Sequence, residues 1–74
     1  MTLTNQATQI LNALRNYGES TTEYANGEVW ASVYLDNARP DNMTASQFAG
    51  YLSALQAAGF YKPVDGAYFG EVKL

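Results

Sequence analysis

Seven acids (Glu19, Glu23, Glu28, Asp36, Asp41, Asp65 and Glu71) and four bases (Arg15, Arg39, Lys62 and Lys73) are the charged groups from which this sequence could build chemistry. Carboxylates held close together can run acid–base hydrolysis or hold a hard cation. These acids show no calcium-loop spacing, and most fall in expected loops or at strand ends, where solvated charge is their ordinary state. A hydrolase also needs a cleft, which a domain of 74 residues seldom provides. Cys and His are both absent. That removes thiol nucleophiles, disulfide frameworks and Cys-based zinc sites. It also removes the commonest general base, metal ligand and pH switch. No glycine-rich phosphate loop is present. The expectation is a chain with no catalytic residue, no metal and no cofactor, and so not an enzyme.

The four bases are scattered, the net charge is -3 and the pI is about 4.4. Duplex binding rests largely on Lys and Arg neutralising phosphates, so this balance opposes a nucleic-acid partner. Composition is 47% hydrophobic, 14% aromatic and 15% charged, the reverse of a disordered chain. No apolar run approaches the roughly 20 residues of a membrane span, and the N-terminus lacks the basic and apolar regions of a signal peptide. These readings predict one soluble, cytoplasmic domain over residues 1–74, without membrane contact.

The elements that position these groups follow from periodicity and punctuation. Leu3, Ala7, Ile10, Leu14 and Tyr17, with Leu11 beside them, form one stripe of an amphipathic helix over 5–17. Thr4 is its N-cap and Gly18 its C′ residue. Asn26-Gly27 is the favoured pair of a type I′ turn. Residues 28–35 read as a strand in preference to a short helix, with an edge strand near 21–25 before it. Residues 36–42, with Pro40, read as a loop. Thr44 and Gln47 have capping-box spacing, and Met43 and Phe48 supply the hydrophobic staple of a helix over 45–58. Gly59 ends that helix, with Leu55 and Phe60 as the apolar pair of a Schellman motif. Strands at 60–62 and 67–74 flank a Pro63-Val64-Asp65-Gly66 turn. Phe48, Phe60, Tyr17 and one face of the Trp30 strand are the expected core.

Helix, strand, capped helix and terminal hairpin is the order of a winged helix, and the stretch Phe48 to Phe60 resembles that family's recognition helix. Its Leu52-Ser53-Ala54-Leu55, the helix-ending Gly59 and the apolar Phe60 opening the hairpin carry the likeness, together with the Asp65-Gly66 wing tip and Gly70 to Leu74. The chain is also similar to short uncharacterised winged-helix-like proteins of marine phages and bacteria, which share a Trp-containing strand ending in Asp-Asn, here Trp30 to Asn37. The resemblance implies a small α+β domain whose capped helix would enter a major groove. Gln47 and Tyr51 on that helix would then read bases, while Arg39 and Lys62 would contact phosphate.

The helix face itself, Ser46, Gly50, Ser53 and Ala57, is small and uncharged. That suits close approach to another protein, with Tyr61 and Tyr68 of the hairpin as aromatic anchors. Ten aromatics exceed what one small core can enclose. The favoured reading is a regulatory or interaction module acting through protein contacts, self-associating as a homodimer. The alternative is a DNA-binding transcriptional regulator.

Overall fold

The computed structural model describes residues 3–66 and 68–74. Helix α1 (Asn5–Asn16) starts where the Thr4 hydroxyl accepts from the Ala7 N–H at 3.1 Å. Its buried stripe is Ala7, Ile10, Leu11 and Leu14. Tyr17 does not join the core. It is the C-cap, with φ -96° and ψ 5°, and its side chain is 48% exposed because the chain has left the helical phase. Gly18 follows without a positive φ. Its value is proximity, since a Cβ there would lie 2.8 Å from the Ala31 Cβ.

Strands β1 (Thr21–Glu23) and β2 (Val29–Tyr34) pair antiparallel. They are connected by residues 24–28, with Gly27 at φ 87° and its N–H donating to the Tyr24 carbonyl at 2.9 Å. A type I′ turn needs Asn26 in the left-handed region too, and Asn26 is not there. Its side chain accepts from the Glu28 N–H instead, at 3.0 Å.

The expected loop after β2 contains a single helical turn, α2 (Leu35–Ala38), closed by Arg39 N–H donating to the Leu35 carbonyl at 3.0 Å. Leu35 and Ala38 are buried, so packing holds a turn too short to be stable alone. Pro40 keeps Arg39 extended, at ψ 123°, and ends it.

Helix α3 (Ala45–Ala57) carries the full capping box. Gln47 N–H donates to Thr44 Oγ1 at 3.1 Å, and Thr44 N–H donates to Gln47 Oε1 at 2.9 Å. At the other end Gly59, with φ 88°, sets Phe60 N–H on the Leu55 carbonyl and its own N–H on Gln56. That is the Schellman pattern.

Strands β3 (Tyr61–Asp65) and β4 (Phe69–Lys73) close the chain. Pro63, Val64 and Asp65 lie in β3 rather than in a turn, with the register slipping between Pro63 and Asp65. Ala67, placed at the start of the second hairpin strand by its sequence, lies outside the described residues.

The sheet is antiparallel, in the order β1-β2-β4-β3. Ala31, Val33, Tyr61 and Val72 point to the side that carries all three helices, where they meet Ile10, Leu14, Leu35, Phe48, Leu52 and Leu55. The domain is thus an α+β fold with helices on one face of a four-stranded sheet. Among the described residues, no buried side-chain polar atom lacks a partner.

Candidate interaction surfaces

The small residues expected to face outward on α3 do so: Ser46, Gly50, Ser53 and Ala57 are exposed, and open space lies above Gly50 where a Cβ would stand. The helix carries no charged residue from Ala45 to Ala57. It also forms a wall of two depressions. Toward α1 lies a groove of about 450 Å³, bounded by Leu3, Ala7, Gln47, Gly50, Tyr51 and Ala54. Toward α2 and the β3–β4 turn lies a pocket of about 320 Å³, with Leu35, Phe48 and Leu52 as apolar lining and Asp36, Arg39 and Ala49 beside them. Both volumes fall in the range of about 300–1,000 Å³ typical of binding sites. The capping box and staple fix where α3 begins. Phe48, Leu52 and Leu55 then fix which of its faces is buried.

The residues expected to read DNA do not converge. Gln47 commits its side-chain oxygen to the Thr44 N–H. Half-buried Tyr51 donates its hydroxyl to Gln6 Oε1, tying α3 to α1. Arg39 donates from Nη1 to the Met43 carbonyl at 2.7 Å, bracing the chain between α2 and α3. Lys62 stands on the face of the sheet away from the helices, with its Nζ 4.6 Å from the Tyr24 ring centre and 4.3 Å from that of Trp30. The sheet itself separates Lys62 from α3.

The two hairpin tyrosines part company as well. Tyr61 is 4% exposed, so it cannot be a surface anchor. Its ring lies over Gly70 of the neighbouring strand, where any Cβ would collide with it. Burial also pushes the Tyr61 phenol pKa up. Tyr68, immediately before β4, is 70% exposed.

Sequence reasoning did not foresee the cluster on the helix-free face of the sheet. Register places Thr22, Trp30 and Lys73 in one row and Ser32, Glu71 and Lys62 in the next. Trp30 is only 2% exposed there, roofed by Lys62 and by Tyr24, whose ring meets it edge-on at 6.4 Å. Glu28 accepts from Trp30 Nε1 and Asn26, and pairs with Lys73 at 2.8 Å. The Lys73 ammonium first, then the Asn26 and Trp30 hydrogen bonds, lower the Glu28 carboxyl pKa to about 2. The Tyr24 phenol donates to Glu71 at 2.6 Å, and that bond raises its pKa. Lysines answer carboxylates and rings, and the cluster fills its own space as a second, small core. The alternation of Trp30, Ser32 and Tyr34 against Ala31 and Val33 was the available signal. It could not say which row the helices would cover.

Among the described residues no group of three or more acids is gathered to hold a metal, and no helix is long and apolar enough to cross a membrane. No family model matches this chain, and neither the curated proteins nor the solved structures contain a match to it.

Proposed function

We propose that the chain is a small regulatory or interaction module on a winged-helix-like scaffold, acting mainly through protein contacts, including contacts with a second copy. The scaffold reading is supported by the order α1, β2, α2, α3, β3, β4 and by β4 lying between β2 and β3, with β1 added at the edge. The observation that carries the functional reading is the surface of α3. It is exposed along its length, free of charge and bordered by apolar depressions on both sides. Depletion of charge is the compositional mark of the centre of a protein interface. Neither sheet edge invites an added strand. β1 has three residues, and β3 carries Pro63 in the row whose backbone points away from β4. Association through the helical side needs neither edge.

The competing reading, a transcriptional regulator, would set α3 in a major groove. That requires cations near the helix, and α3 supplies none. Titration of labelled mixed-sequence duplex at about 0.15 M salt should show no saturation at micromolar protein. Saturable, sequence-dependent binding under those conditions would overturn the interaction reading in favour of the regulator.

A further inference from the structure

We propose that two copies of this chain associate by exchanging their wing-tip tyrosines, Tyr68 of each copy entering the pocket between α2 and α3 of the other. The inference rests on the interaction reading above and names its partner and its surface. Among the described residues, Tyr68 is the most exposed of the large hydrophobic side chains. Its backbone is nonetheless held, because its carbonyl accepts from the Leu35 N–H at 2.8 Å. Leu35 is also an apolar wall of the pocket. A firmly seated backbone thus presents a free ring beside a cavity which that ring does not fill.

The cavity suits such a ring. Its volume of about 320 Å³ accepts one aromatic side chain against Leu35, Phe48 and Leu52, with polar groups of Asp36 and Arg39 within reach of a phenol. Anchor and pocket are neighbours on one face, so a two-fold axis satisfies both at once: each copy gives what it receives. The charges on this face are few and mixed: Asp36 and Arg39 line the pocket, and Asp65 stands at the tip of the hairpin beside Tyr68. The net charge of -3 on each copy does not bar this contact, because α3 is uncharged and exposed charges are screened beyond about 8 Å at physiological salt. A stable dimer buries about 800 Å² per partner, roughly one sixth of the 4763 Å² surface of this chain.

Sedimentation equilibrium from low to high micromolar concentration tests the proposal. The native chain should pass from 8.1 kDa toward twice that mass. Tyr68→Ala removes the anchor, and Ala49→Trp fills the pocket from an exposed helix position. Each should weaken association by about thirtyfold or more, the loss expected of a central aromatic anchor. Tyr17→Ala, which removes another exposed ring at the end of α1, should leave it unchanged. Circular dichroism confirms that each variant is folded. A native chain that stays at 8.1 kDa overturns the proposal. Dimers that survive both Tyr68→Ala and Ala49→Trp overturn this surface while leaving the interaction reading intact, and that reading fails separately, in the DNA titration.

Discussion

Gly70 sits in the middle of β4, between Val33 of β2 and Pro63 of β3, and the close approach of three strands there can be tested with one methyl group. In an alanine at this position the Cβ would lie 2.6 Å from Tyr61 Cε1 and 2.7 Å from the Lys62 carbonyl oxygen, with the Tyr61 hydroxyl closer still. The ring can swing aside, at the expense of its burial. The carbonyl belongs to a paired strand and cannot. Gly70 does not have a positive φ, so alanine is conformationally allowed and would by itself add about 0.4–1 kcal/mol by restricting the unfolded chain. Overpacking costs about 1–3 kcal/mol. The clash wins, and Gly70→Ala should lose about 1–2 kcal/mol net. For 74 residues at about 2.1 cal/mol/K each, every kcal lowers the melting temperature by about 6 °C, so the expected fall is about 6–13 °C. Thermal unfolding followed by far-ultraviolet circular dichroism measures it. Adding Tyr61→Leu should recover only part of the loss, because the Lys62 carbonyl remains. A Gly70→Ala protein as stable as the parent would refute the close packing of β3 on β4.

Thr44→Ala removes one half of the capping box and should cost about 1 kcal/mol, read as a lower urea midpoint with an unchanged slope. The Glu28 carboxyl is depressed from 4.5 to about 2, so its contribution is complete above pH 4.5 and is lost as the pH falls toward 2. Acid unfolding curves of Glu28→Gln should therefore be flatter than the parent's across that window, and parallel curves would deny the carboxylate its role. Lys62→Ala takes the roof from Trp30, the single tryptophan, and should shift its fluorescence to longer wavelength with α3 and its capping box untouched.

What this sequence determined by itself was local. Thr4, the Thr44–Gln47 box and the Gly59 ending are contacts between residues three to five apart, and they form wherever the helix forms. The helices α1 and α3 and their buried stripes were legible for the same reason: a 3.6-residue period is written along the chain. The period of a strand is two, and it names two rows of side chains without saying which one meets the helices. One face of the Trp30 strand was expected in the core, and it proved to be that of Ala31 and Val33, leaving Trp30 at the centre of a separate cluster on the other face, while Tyr61 looked like a surface anchor and became core. Their fates were settled by pairing with β4, through Trp30↔Lys73 and Tyr61↔Val72. The turn α2 had too few residues to show a period and exists because Leu35 and Ala38 found a place beneath α1. The depressions beside α3 have walls from segments up to about 50 residues apart, Leu3 with Ala54 and Leu35 with Gly66. No spacing along a chain encodes such a neighbour; only the folded packing of helices on the sheet brings it near.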